Sequence, residues 1–281
     1  MPIAVIGDED SGKSTFLTLT YAAQIRYTAD SKGDFRFYAD PENLRVMGAE
    51  YSRMLMGEWP SDALRRHNVE FTFGYGMKGG LMGKIFGSKK YSNLKFRSFD
   101  VSGKAYDKLK EGDDISSAHI TDEMSDLTRC RLWVLLLDTT EKKKADPNTA
   151  NMVANLVSYA RDPIYPVIVL TKYDRMKGKT LKASLVPKIK DKGERAAFVE
   201  KALKATYPKT YKFMKGSPKL KEPQVFFSIV KTEKKDKQAI PGLKQGDMGS
   251  LQLDYSYDEY VAIIKYIGHA GKEIGWDDAK K

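Results

Sequence analysis

A short apolar run, Ile3-Ala4-Val5-Ile6, leads straight into Gly7-Asp8-Glu9-Asp10-Ser11-Gly12-Lys13-Ser14. This junction constrains the fold more than any other stretch. A strand that delivers Gly-x-x-x-x-Gly-Lys-Ser into a helix is a phosphate-cradling arrangement. Gly7 and Gly12 let the backbone wrap closely, so that successive N–H groups point at phosphate oxygens. Lys13 supplies a mobile positive charge to the β and γ oxygens. Ser14 offers a hydroxyl to Mg²⁺, and the helix that begins there turns its positive dipole end to the anion. The bland alternative is a chance glycine-lysine turn; placement between a strand and a helix argues against it.

The rest of the chain alternates strand and helix signals as an α/β chain with a mostly parallel, doubly wound sheet does. A strand is expected over 2–7 and its helix from Gly12 to about Ile25. A second helix is expected over 42–56, with Asp40 as cap, Pro41 in its first turn, Gly57 at its end, and Leu44, Met47, Tyr51 and Met54 on one face. Val69, Phe71, Phe73 and Tyr75 alternate as a strand, a hairpin partner of 94–100. The run Leu132-Trp133-Val134-Leu135-Leu136-Leu137 is typical of a central strand buried on both faces. A helix near Asp146-Pro147 leads to a strand ending at Leu170. Ser256-Tyr257-Asp258-Glu259 reads as a capping box opening a last helix, which buries Tyr260, Ile263, Ile264 and Ile267.

A phosphate cradle does not choose its nucleotide. Thr171-Lys172-Tyr173-Asp174 follows the apolar run Val167-Ile168-Val169-Leu170 and resembles the Asn/Thr-Lys-x-Asp base-reading motif of the Ras-like P-loop GTPases. An ionised Asp174 accepts two hydrogen bonds from a base with adjacent N–H donors, which guanine presents and adenine does not. The stem of Lys172 would lie along that base. Asp100-Val101-Ser102-Gly103 ends another alternating run and resembles the family's Asp-x-x-Gly segment. There the resemblance implies that Asp100 steadies Mg²⁺ through water and that the Gly103 N–H reports the γ-phosphate. Ser228-Ile229-Val230 matches the family's second base-contacting position in place more than in letters.

All four motifs stand in the family's chain order. The resemblance implies a P-loop NTPase fold with a mostly parallel, doubly wound sheet of about six strands, helices on both faces and one antiparallel hairpin strand. It implies a single GTPase domain over 1–281, with insertions at about 30–66, a Gly-rich loop at 74–93 and a basic insertion at 175–222. The nucleotide-binding set it implies is Gly7, Asp10, Ser11, Gly12, Lys13, Ser14, Thr15, Thr171, Lys172, Asp174, Ser228, Ile229 and Val230. Ser14 and Asp100 would place the metal, and Lys13, Gly103 and Lys104 would act on the phosphates.

Two departures from the family's minimal plan bear on mechanism. Gly57-Glu58-Trp59-Pro60 resembles a stretch of the prokaryotic double-GTPase branch, which usually has a metal-ligating Thr shortly after; here Ser61, Asp62 and Ala63 follow. Ser61, Thr28 and Thr72 are the candidate hydroxyls. Lys104 stands where many Ras-like proteins have a water-orienting Gln, and lysine donates only. It would stabilise γ-phosphate charge instead. With Asp8, Glu9 and Asp10 crowding the loop, slow hydrolysis is the expectation.

Composition narrows the surroundings. The single cysteine, Cys130, excludes an intramolecular disulfide framework and suits a reducing interior. His67, His119 and His269 show no metal-ligand spacing, and no apolar run approaches a membrane span. With the first strand beginning at residue 3, a leader is not expected, and the chain reads as cytoplasmic with a peripheral membrane location left open. The net charge is +11, and residues 172–245 alone hold 21 Lys or Arg against 7 Asp or Glu. A helix over 193–205 with a Phe198, Ala202, Ala205 seam lies there. That surplus reads either as a solvated face or as a surface for anionic lipid, an acidic protein or, less readily, nucleic acid. The glycine-rich stretch Gly79–Phe86 is flexible, apolar and basic, and reads as a partner-gripping tip or an unstructured loop. The expected activity is a GTP-binding switch that hydrolyses GTP slowly with Mg²⁺, with protein effectors or regulators as partners. The alternatives are a P-loop ATPase or small-molecule kinase, and a non-hydrolysing nucleotide-bound scaffold.

Overall fold

Alternation in the strands dictates two apolar layers, and the chain builds both. The computed structural model describes residues 2–274 apart from 9, 31–34, 40, 62–68, 76–89, 101–126, 128, 141, 161, 177–182, 190, 236–237 and 247–248. It is a mixed α/β structure. Strands β1 (Pro2–Gly7), β2 (Phe35–Ala39), β3 (Val69–Tyr75), β4 (Lys90–Asp100), β5 (Leu132–Asp138), β6 (Tyr165–Thr171) and β7 (Gln224–Phe227) form one sheet in the order β2-β3-β4-β1-β5-β6-β7. β4, β1, β5, β6 and β7 pair in parallel, whereas β3 pairs antiparallel with both β4 and β2. Within this sheet β3 alone therefore runs against the others, as expected of one hairpin strand. The edge strand β2 was not legible in the sequence.

Helices cover both faces. Ile3, Val5, Val134, Val167 and Val169 point into one layer with α1 (Lys13–Asp30), α2 (Pro41–Leu55) and α6 (Tyr257–Ile274). Ala4, Ile6, Leu135, Leu137, Ile168 and Leu170 point into the other, with α3 (Lys142–Tyr159), α4 (Lys192–Thr206) and α5 (Pro208–Gly216). Every residue of β5 is buried because both of its faces are covered. Two small hairpins, β8 (Thr232–Lys235) with β9 (Gln238–Pro241) and β10 (Leu243–Gln245) with β11 (Leu251–Leu253), sit between β7 and α6 in the chain.

Several local expectations shift. α1 runs to Asp30 rather than Ile25. Met47 and Met54 are buried on α2, but Leu44 is 40% exposed. On α4 the seam is Ala202, Leu203 and Thr206 with Phe198 half-buried, and Ala205 is exposed, because Phe198 and Leu203 turn toward the Tyr173–Phe227 cluster. α3 begins at Lys142, ahead of Asp146. Asp146 instead accepts from the Lys209 and Thr210 N–H groups, capping α5 across the fold. Tyr207 and Tyr211 are core side chains. Tyr260, Ile263, Ile264 and Ile267 are buried as the periodicity requires. The Gly79–Phe86 tip, the Asp40 cap, His67 and His119 lie outside the described residues; His269 is exposed.

Candidate functional site

Parallel register brings the motifs to one edge. Gly7 pairs with Asp100, Asp138 with Thr171, and Leu170 with Phe227, so the carboxyl ends of β4, β1, β5, β6 and β7 share a rim. The chain turns from one side of β1 to the other between β4 and β5, and such a reversal leaves a crevice at the carboxyl edge. A cleft of about 330 Å³ opens there. Asp10, Gly12, Lys13, Ser14 and Thr15 line it from the loop and helix that follow β1, and Thr171, Lys172, Asp174, Ser228 and Val230 line it from the ends of β6 and β7 and the residues after them.

The loop before α1 is shaped by left-handed backbone. Asp10 has φ 58° and Gly12 φ 92°, flanking Ser11 in the alternation that turns N–H groups into a concave nest. Gly7 is there for space. A Cβ would collide with the Ser11 hydroxyl and press on Leu136 Cβ at 3.2 Å. Lys13 is buried, and its Nζ donates to the carbonyls of Gly7 and Asp8 at 2.7 Å each. The ammonium thus lies folded over the loop it follows. Ser11 Oγ is buried with no hydrogen-bond partner among the described residues.

The second motif is bolted to the first. Thr171 Oγ1 donates to the Ser11 carbonyl at 2.7 Å, and Thr139 Oγ1 reaches the carbonyls of Thr171 and Lys172. Lys172 adopts φ 51°, and its Nζ is 2.6 Å from an Asp138 carboxylate oxygen. The other Asp138 oxygen accepts from the N–H and hydroxyl of Thr140. The Lys172 ammonium is thereby tied to the end of β5. Burial raises Asp174 above the ordinary aspartate range, opposed by its own and the Val230 backbone N–H groups and by the Arg175 guanidinium. A carboxylate held partly desolvated in a cleft is poised for a ligand that offers donors.

The third motif is held from behind. The Ser256 hydroxyl donates to the Phe227 carbonyl and accepts from the Ile229 N–H. Glu259 accepts from the Phe227 N–H and from Arg195 in bidentate fashion at 2.8 Å. The pair expected as a capping box therefore clamps the end of β7, because that strand's last polar groups lie against the start of α6. The Ser228 hydroxyl is 2.7 Å from the Tyr260 hydroxyl and faces the core. Ile229 is absent from the cleft lining, unlike its neighbours Ser228 and Val230.

Of the switch candidates, Ser61 is tied to Glu50 through both its N–H and its hydroxyl at 2.6 Å. Thr72 lies in β3, in register with Tyr38 and Asn93, and Thr28 lies in α1. Asp100 ends β4 beside Gly7; Glu9, Gly103 and Lys104 lie outside the described residues. Trp59, Pro60, Arg175 and Thr232 also line the cleft, and nothing in the sequence's periodicity assigned them there. Only the resemblance of Gly57-Glu58-Trp59-Pro60 to the prokaryotic double-GTPase branch singled out Trp59 and Pro60. No group of three or more His, Cys, Asp or Glu side chains suited to a metal occurs among the described residues. No helix among them is long and apolar enough to cross a membrane.

No protein-family model matches the chain, and no curated protein matches it either. Among solved structures, the chain is similar to GDP-bound Roco2 RocCORdC of Methanosarcina barkeri, at 14% identity and a TM-score of 0.29 over 81% of this chain. The chain spans 42% of that protein's length. So low a TM-score carries no weight for fold or function.

Proposed function

We propose that the protein binds guanine nucleotides with Mg²⁺ and works as a slowly hydrolysing GTPase switch on a P-loop fold. One observation carries the reading. Lys13 and Ser14, chosen for phosphate chemistry, and Lys172 and Asp174, chosen for base chemistry, line the same cleft. This weighs against an ATPase or kinase in which the Thr171–Asp174 stretch is incidental.

In this reading the nest around Ser11 takes the phosphates, and the Lys13 ammonium exchanges its carbonyl partners for phosphate oxygens. Asp174 in its ionised form accepts from the ring N–H and exocyclic amine of guanine, while Lys172 flanks the base. Mg²⁺ takes few protein ligands and keeps phosphate oxygens and waters, so the Ser14 hydroxyl together with Asp100 is a fitting donor set. The metal would neutralise charge across the β and γ oxygens. Gly103 and Lys104 are assigned the γ-phosphate by resemblance alone. The Ser61 hydroxyl spends its proton on Glu50, which leaves its oxygen lone pairs as the part that would serve a metal.

Equilibrium binding of GDP, GTP, ADP and ATP with Mg²⁺ tests the reading. A preference for guanine of at least about tenfold, or 1.4 kcal/mol, is expected. Equal affinity for adenine nucleotides would sink it. Single-turnover decay of bound GTP then separates a switch from a scaffold that never hydrolyses.

A further inference from the structure

Residues 57–61 carry Trp59 and Pro60 into the cleft wall and are pinned at both ends. Gly57 turns with φ 86° and donates to the Met54 carbonyl, and Ser61 is gripped by Glu50. Between these anchors the Trp59 indole N–H donates to the carbonyl of Ala239, on β9, at 2.7 Å. The Arg175 guanidinium, next in the chain to Asp174, lies 5.6 Å from the centre of the Trp59 ring. Thr232, on the partner strand β8, lines the cleft itself. The hairpin is anchored at its base, where the Gly242 N–H donates to the Lys231 carbonyl at 2.7 Å. Trp59 therefore joins the cleft wall beside Arg175 to a hairpin that no motif required.

We propose that the β8–β9 hairpin is a latch on the cleft, acting through the Trp59–Ala239 hydrogen bond to set how fast bound nucleotide leaves. This rests on the guanine-nucleotide reading. The bond joins two segments 180 residues apart in sequence. Breaking it frees the indole, loosens its stack on Arg175, and opens the wall beside Asp174. A residue that only walls the cleft needs its ring; a latch needs the N–H as well. The distinction sets the test.

Release of mant-GDP is followed by stopped flow after a chase with excess GDP and Mg²⁺. The latch requires Trp59→Phe, which keeps a ring but loses the donor, to release about fivefold faster, in keeping with the loss of one hydrogen bond. Trp59→Ala should be at least as fast. Gly242→Ala, whose Cβ would stand 2.8 Å from the Lys231 carbonyl oxygen and force the hairpin base apart, should speed release without touching the cleft lining. Circular dichroism melts of the unliganded variants identify any that have simply unfolded. Release from Trp59→Phe within twofold of the unaltered protein would overturn the latch, whatever Trp59→Ala does. If the unaltered protein prefers adenine nucleotides, the guanine reading fails and the latch is tested with mant-ADP. If it binds no nucleotide at all, both fall.

Discussion

Asp174, which the guanine reading assigns to the base, sits in the fold at a cost. Its carboxyl is raised by burial, so the folded protein takes up its proton at higher pH than the unfolded chain does. The sign follows from linkage. Where the folded state holds the extra proton, stability falls as pH rises, and above the raised value the ionised group is a standing penalty. Guanine needs the ionised form, so its binding runs the other way. GDP affinity should weaken as pH falls through the raised value of Asp174, at a higher pH than an ordinary aspartate would give, and the Asp174→Asn profile should be flat there. That variant should also weaken GDP by about a hundredfold, the loss of two charge-assisted hydrogen bonds. Xanthine nucleotides, with the inverted donor pattern, should gain. Denaturant unfolding of unliganded Asp174→Asn should show a protein no less stable than the original, because the buried charge is gone.

Among the elements, α6 does more than cover one face of the sheet. Its first turn supplies Glu259 and Tyr260, and with Ser256 they hold the polar end of β7, where Ser228 and Val230 face the cleft. Burial pushes the Tyr260 phenol well above its ordinary range, so it stays neutral and forms a hydrogen bond with the Ser228 hydroxyl. Tyr260→Phe leaves that hydroxyl buried without its partner and should destabilise by about 1–2 kcal/mol in urea unfolding. Adding Ser228→Ala removes the orphan, so the double variant should lose less than the two single losses combined. Additivity would mean that the two hydroxyls do not depend on each other.

For the molecule as a whole, nucleotide and fold should be linked. The cleft is assembled from the carboxyl ends of strands far apart in the chain, and a ligand that binds only the folded state stabilises all of them together. At 100 times its Kd, GDP with Mg²⁺ should add about 2.7 kcal/mol, a rise in Tm of roughly 5 °C or more. Lys13→Ala should keep its far-ultraviolet circular dichroism and lose this shift. Lys201, Lys204, Lys209, Lys212 and Lys215 of α4 and α5 are exposed, while Leu203 and Met214 of the same helices, and Tyr207 between them, are buried in the layer on that face of the sheet. Exposed lysines over an apolar seam that is already buried suit a solvated face and a surface for an anionic partner alike.

The elements legible in advance were those whose pattern is local. Ile3–Ile6, Leu132–Leu137 and Val167–Leu170 are continuous apolar runs, and central parallel strands are buried on both faces whatever surrounds them. Gly7, Gly12 and Lys13 were legible because a phosphate nest is made by consecutive residues. β2, with its Phe-Arg-Phe-Tyr-Ala alternation, is five residues long and forms only because β3 offers it an edge. Ser256 and Glu259 have capping-box spacing, yet they were drawn to the end of β7 by groups more than two dozen residues earlier in the chain. Trp59, Arg175 and Thr232 carry no shared pattern at all. The sequence by itself determined the strands, the loop conformation and the chemistry each motif offers, since these depend on neighbours along the chain. Tertiary structure decided which side chains complete the cleft and what holds them there, because hydrogen bonds such as Thr171 to Ser11 and Trp59 to Ala239 exist only once parallel register has brought distant strand ends to one rim.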